Sequence, residues 1–236
     1  MRHPAPPNPA GPPPDCLLNG AGLRSTLRQL ITQLDLRNIT LVVQDWGGLT
    51  GLSVLPSIEG RVARLVVMNT GLPPSGRSSK RSQCNFLTWR AIVMACGQYL
   101  PVGRIFKAAC TTSIYRISDK AIAGYEAPFP SSLYKAGPAK WPLLVPLSKR
   151  MTVAADMLVA RDFLKTWSRP ALIMFSDKCF VTRGLDQFFM HLIPWCRENA
   201  DDCHITIRGA DHFLQEEAGE ALAMHALNFM LAFPHP

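Results

Sequence analysis

Asp45 stands between an apolar, β-branched run, Ile39-Thr-Leu-Val-Val43, and the segment Trp46-Gly47-Gly48. A buried strand that turns at once into a helix, with glycine where a side chain would collide with the crossing backbone, has the form of a nucleophile elbow. The residue at the apex is here a carboxylate. A carboxylate attacks amides poorly, but it displaces a leaving group from saturated carbon and so forms an alkyl–enzyme ester. The helix N-terminus behind it favours the ionised form. The plainer alternative is an Asp that only caps the following helix. Far along the chain, Gly209-Ala-Asp-His-Phe-Leu-Gln-Glu216 places His212 directly after the last apolar strand. An imidazole there is suited to activating water against an ester on Asp45.

The elements that must position these groups are legible as an alternation. Leu23, Leu27, Leu30, Ile31 and Leu34 recur at helical spacing, with Ser25 and Thr26 as cap residues near the start. Strands are expected at 39–44, 63–68, 171–176 and 203–208, the first of them as a buried parallel strand. Helices are expected from Asp45 to a break at Pro56, at 184–193 and at 216–232, the last with Leu222, Ala226, Phe229 and Phe233 on one face. Such alternation predicts an α/β fold with a mostly parallel sheet, its strands adjacent in chain order. About a hundred residues between the second and third strands do not fit it. They carry helical patterns near 86–97, 118–125 and 152–165, and a loop that long is improbable in one domain. The expected organisation is a Pro-rich, extended tail at 1–22, an α/β core at 23–72 and 168–236, and an inserted helical cap at 73–167.

Composition excludes several classes. With 236 residues and 47% apolar content the chain supports one sizeable core and is not wholly disordered. No apolar run reaches the length of a membrane span, and no signal peptide is seen, so a cytoplasmic protein with reduced thiols is expected. The seven cysteines show no CxxC pair, and no metal site is expected. Residues 61–120 carry a net charge of +9, but the cations are scattered among apolar residues. A solvated basic face is expected there rather than a nucleic-acid surface.

Four segments resemble the haloalkane dehalogenases of the α/β-hydrolase superfamily. They are Leu36 to Gly48, Arg61 to Thr70, Tyr125-Glu-Ala-Pro-Phe-Pro130 with Tyr134-Lys-Ala-Gly137, and Asp211-His-Phe-Leu-Gln-Glu216. The resemblance runs from about residue 24 to the C-terminus and implies a partial α/β-hydrolase fold. It further implies that Asp45 is the nucleophile and His212 the base. Trp46 would give its indole N–H to the departing halide and its backbone N–H to an oxyanion hole. The alternative for Trp46 is packing beside the elbow. The substrate implied is a small organohalide, with no cofactor.

The resemblance fails at two places. Phe175-Ser-Asp-Lys-Cys-Phe-Val-Thr-Arg-Gly184 matches the segment that bears the triad acid, but Cys179 fills the acid's position. A thiol is expected to orient imidazolium less well than a carboxylate. Asp177, two residues earlier, is a candidate substitute acid or else a turn residue. Asn69 matches a non-acidic position and offers no carboxylate. Secondly, residues 1–22 hold no counterpart of the strands and the His-Gly loop that precede this point in the family. The strand at 39–43 is therefore expected at a sheet edge, where a partner has room to pair. Three functions follow: carbon–halogen hydrolysis through an Asp ester, in intact or impaired form; epoxide hydrolysis, which needs two acidic tyrosines from Tyr99, Tyr115, Tyr125 and Tyr134; or binding by an inactive, truncated homologue.

Overall fold

The computed structural model describes residues 20–73, 80–110, 114–115 and 117–234. Most of the expected Pro-rich tail, residues 1–19, lies outside them. The first helix, α1 (Gly20–Gln33), begins three residues before the expected start of the core. Ser25 and Thr26 therefore lie inside the helix rather than capping it, and the Thr26 hydroxyl donates to the carbonyl of Gly22 at 2.9 Å.

Strand β1 (Ile39–Gln44) leads into α2 (Trp46–Val54), and β2 (Val62–Met68) follows a short 3-10 passage that begins at Leu55. Pro56 stands near the start of that passage, where its missing N–H costs nothing. Among the described residues five helices follow: α3 (Lys80–Cys96), α4 (Val102–Ala109), α5 (Asp119–Glu126), α6 (Ala136–Leu144) and α7 (Thr152–Leu164). After β3 (Ala171–Ser176) the chain forms α8 (Leu185–Leu192), α9 (Pro194–Glu198) and α10 (Ala200–Cys203). It closes with β4 (His204–Ile207), α11 (Leu214–Glu217) and α12 (Gly219–Ala232).

The four strands form one parallel sheet in the order β1-β2-β3-β4, with Leu41 opposite Leu65, Leu65 opposite Ala171 and Ile173 opposite His204. Every residue of β2 and of β3 is buried, so both faces of the sheet centre are covered. This is why both strands are almost continuously apolar. β1 differs from its expected burial. Among the described residues nothing pairs with its outer side, and Val42 is 51% exposed while Val43 is buried. An apolar run records affinity for a sheet; it does not record how many layers cover it.

The core gathers the sheet with Leu52 and Leu55 after the elbow, Leu164 and Trp167 from the end of α7, and Phe188, Phe189 and Ile193 around α8. In α12, Leu222 and Phe229 are buried, and Ala226 and Phe233 pack against the same core, as the helical spacing predicts. Gly51 lets α2 lie close on β1, since a Cβ there would fall 2.8 Å from Val43 Cγ1. No helix among the described residues is long and apolar enough to cross a membrane.

Candidate active site

The elbow is built by steric exclusion. Asp45 adopts φ 46° and ψ −120°, a left-handed conformation that a residue with a Cβ takes only under constraint. Four bonds hold it there, one of them from the Leu49 N–H to its carbonyl at 3.4 Å. Its N–H donates to the carbonyl of Asn69 at 3.2 Å, its carbonyl accepts from the N–H of Gly48 at 3.0 Å, and the Thr70 hydroxyl donates to the same carbonyl at 2.7 Å. Gly48 is obligatory beside them, for a Cβ on it would lie 2.0 Å from Thr70 Oγ1. The Asp45 side chain makes no cap bond to α2, so the capping alternative is not what the structure shows.

The histidine loop is tied to the same point. Asn69 is fully buried, also at positive φ (27°), and its carboxamide is saturated by the two neighbouring strand ends. Its Oδ1 accepts from the N–H of Ser176 at 3.0 Å, and its Nδ2 donates to Ser176 Oγ at 2.8 Å and to the Asp211 carbonyl at 2.9 Å. Ser176 Oγ in turn donates to the Asp211 carbonyl at 2.6 Å. Gln44 adds a bond from its Nε2 to the His212 carbonyl at 3.3 Å. His212 Nε2 thereby lies 3.6 Å from Asp45 Oδ1, although 167 positions separate the two residues in the chain.

On its other side, His212 Nδ1 is 3.4 Å from the sulfur of Cys179, which is fully buried. Asp177, the candidate substitute acid, is used elsewhere: its Oδ1 accepts from the N–H of Gly209 at 2.8 Å, closing the turn between the ends of β3 and β4. The turn alternative describes it, and the side chain that meets Nδ1 is Cys179. Burial disfavours charge on His212, but the hydrogen bond and charge of Cys179, with Asp45 and Asp211 behind, outweigh it and push the imidazole up to about 9. Burial likewise disfavours the Cys179 thiolate. The His212 imidazolium and the Thr182 donors outweigh that too, and the thiol is held below its ordinary value.

Asp45, Trp46 and His212 line a cavity of about 820 Å³ whose wall is mostly apolar and aromatic, with Phe106, Phe129 and Phe213 among its members. Trp46 both faces this cavity and packs on the core. Sequence reasoning missed a second indole. Trp141, on α6, lines the same cavity with its ring 5.9 Å from that of Trp46. Its Nε1–H is buried without a hydrogen-bond partner, a donor left for something that enters. Of the four tyrosines weighed for epoxide chemistry, only Tyr125 lines the cavity, and Tyr99 is 73% exposed. Among the described residues no group of three or more His, Cys, Asp or Glu is placed to hold a metal ion, and the six described cysteines are free.

The arrangement provides an ionisable carboxylate at an apolar cavity, an imidazole behind it and two indoles beside it. No protein-family model matches the chain. It is 35% identical over 204 residues to a haloalkane dehalogenase of Psychrobacter cryohalolentis, covering 86% of this chain and 64% of that protein. It is 36% identical over 199 residues to a haloalkane dehalogenase of Mycolicibacterium paratuberculosis, covering 84% and 62%. The chain thus spans less than two thirds of the length of these relatives. Among solved structures, a haloalkane dehalogenase of Paraglaciecola agarilytica NO2 matches with a TM-score of 0.78 at 27% identity, over 94% of this chain and 69% of that one. By these likenesses and by its parallel sheet, the chain is related over most of its length to the haloalkane dehalogenases of the α/β-hydrolase superfamily.

Proposed function

We propose that this protein is a haloalkane-dehalogenase-like hydrolase that opens carbon–halogen bonds through an alkyl ester on Asp45. The observation that carries this reading is the strained Asp45 at the cavity wall, with His212 Nε2 at 3.6 Å and two indoles at hand. In the first step an Asp45 oxygen bonds to the halogen-bearing carbon, and the halide leaves with the electron pair. Trp46 donates its indole N–H to that halide, and the unpartnered N–H of Trp141 serves as a second donor. In the second step water adds to the ester carbonyl carbon and gives its proton to His212 Nε2. The acyl C–O bond then breaks, the alcohol leaves with that proton, and the carboxyl left on residue 45 releases the second proton of the water to solvent, which restores the Asp45 carboxylate. The Trp46 backbone N–H supplies one donor to the oxyanion of this step. Helices α3 to α7 act as the cap that shapes the substrate space, and the open outer side of β1 is proposed as the place where a covering partner pairs.

The second step is the slower one in this proposal. Replacing a triad acid costs up to about 10⁴ in rate in serine enzymes, and here sulfur stands in the acid's place. The alkyl ester therefore outlives the step that forms it. The test is intact mass after exposure to a bromoalkane, beside halide release. The expected result is the mass gain of one alkyl group, mapped to Asp45 and absent from Asp45→Asn. Neither mass gain nor halide from the folded protein would overturn the proposal and leave the binding-only reading.

A further inference from the structure

We propose that Cys179 is the positioning residue of His212 and works as a thiolate, accepting a hydrogen bond from the Nδ1–H so that Nε2 is left free to act as base. The proposal rests on the function proposed above for its purpose, and on the local geometry for its content.

The sulfur is surrounded by donors. Thr182 Oγ1 lies 3.0 Å away, the N–H of Thr182 3.4 Å and His212 Nδ1 3.4 Å, and the residue is fully buried. Neutral sulfur is a weak acceptor, and three polar neighbours on one buried thiol fit negative charge better than a neutral S–H.

The imidazole tautomer supplies the second reason. A thiol that gives its one proton towards Nδ1 makes that nitrogen the acceptor and puts the imidazole proton on Nε2. An imidazole in that state faces Asp45 with an N–H and cannot take a proton from water. A thiolate reverses the arrangement: Nδ1 carries the proton and Nε2 holds the lone pair. The side chain that displaced the acid therefore supports base catalysis only as its anion.

The charged groups around the pair agree with this. Asp45 faces Nε2 at 3.6 Å, and buried Asp211 is the chain neighbour of His212. Both favour imidazolium while the site is empty. When Asp45 becomes an ester its charge is lost and one of the influences holding the proton on Nε2 disappears, which moves the imidazole towards its neutral, basic form at the stage that needs one. Cys179 keeps its charge throughout, and so holds the ring in one tautomer across both steps.

The decisive experiment needs no substrate. The ultraviolet thiolate band is followed against pH as the difference between the folded parent and Cys179→Ser, and the His212 tautomer is read by nitrogen NMR in both. The expected results are a thiolate band already present at about pH 7 and an Nδ1-protonated ring in the parent. As a second variant that keeps the sulfur, Thr182→Val should move the midpoint of the band upward by about one to two pH units, as loss of a hydrogen bond to a charged group does. A band that rises only above about pH 8.5, as for an ordinary thiol, overturns the proposal. So does a ring that carries its proton on Nε2 alone. If the parent forms the ester, Cys179→Ala should slow its hydrolysis by about 10² while slowing alkylation far less. If no ester forms, the proposed function fails, and the band and the tautomer still decide this inference.

Discussion

Gly48→Ala should collapse the elbow, because the added methyl has nowhere to go. Its Cβ would lie 2.0 Å from Thr70 Oγ1 and 2.6 Å from both Thr70 Cβ and Cγ2. Thr70 is 1% exposed and cannot swing into solvent, and its hydroxyl holds the Asp45 carbonyl at 2.7 Å. Overpacking of this kind costs about 1–3 kcal/mol. Displacing the hydroxyl removes a hydrogen bond worth about 1 kcal/mol more. The sum, about 2–4 kcal/mol, corresponds to a fall in Tm of about 5–15 °C for a chain of this length. Far-ultraviolet circular dichroism at fixed pH measures it. Thr70→Gly removes all three clashing atoms, so Gly48→Ala combined with Thr70→Gly should be at least about 1 kcal/mol more stable than the two single losses add up to. A Tm for Gly48→Ala within about 2 °C of the parent would refute the steric account of the turn.

Asn69→Ala should cost about 3–5 kcal/mol in urea unfolding, because it strands buried groups of Ser176 and Asp211 at once; a loss below about 1 kcal/mol would deny the carboxamide its tying role. Trp141→Phe should leave stability unchanged or slightly raised, since it deletes a buried N–H with no partner, yet weaken bromide binding about tenfold by tryptophan fluorescence. Unchanged bromide affinity would remove Trp141 from the halide site. The Cys179–His212 pair should also shape stability against pH. His212 is raised from 6.5 to about 9, so its contribution is complete below 6.5 and lost as pH rises through 9. Cys179 is lowered from 9.0, so its contribution is complete above 9.0 and lost as pH falls through its folded value. Between 6.5 and 9 the two trends oppose. The excess stability of the parent over Cys179→Ser should therefore change little from neutral to alkaline pH and decline on the acid side, as pH falls through the folded value of Cys179, and melting curves at acid, neutral and alkaline pH check it. A steady rise or fall across the range would contradict the paired assignment.

What was legible in the sequence follows the distance over which each feature is determined. The elbow lies within ten residues: a β-branched run, an apex carboxylate and a glycine, each with a local steric reason. β2 and β3 were equally plain, since a strand covered on both faces is apolar throughout. The half-exposed β1 looks the same in sequence, because its exposure depends on what adjoins it and not on its own residues. α6 was hidden by composition. Pro138 and Pro142 argue against a helix, but Pro138 stands in the first turn, where no N–H is required, and Pro142 is accommodated inside. Trp141 disappeared with it, as a lone Trp between prolines in a segment with no visible period. The partners of Asn69 stand 107 and 142 positions away, so nothing near it announces a structural tie. The family resemblance marked Cys179 as a foreign residue at the acid's position. That Thr182, three residues on, directs both its hydroxyl and its N–H at the sulfur is a property of the turn that only the fold supplies.

Asn69 explains why the two reacting groups meet at all. Its carbonyl accepts the N–H of Asp45, while its carboxamide holds Ser176 and the Asp211 carbonyl next to His212. The nucleophile turn, the end of β3 and the histidine loop are thus indexed to a single buried side chain at the end of β2. The acid's position is not part of that frame. Cys179 meets the imidazole from the far side and is held by Thr182, with no bond to Asn69 or to the elbow. A change at residue 179 can therefore alter the charge behind the histidine while the separation of Asp45 and His212 is fixed by other contacts. This division of labour is what lets the two half-reactions be perturbed separately. Substitutions at Gly48 or Asn69 should damage both steps together through geometry, and substitutions at Cys179 should act on the hydrolytic step through the proton on Nδ1.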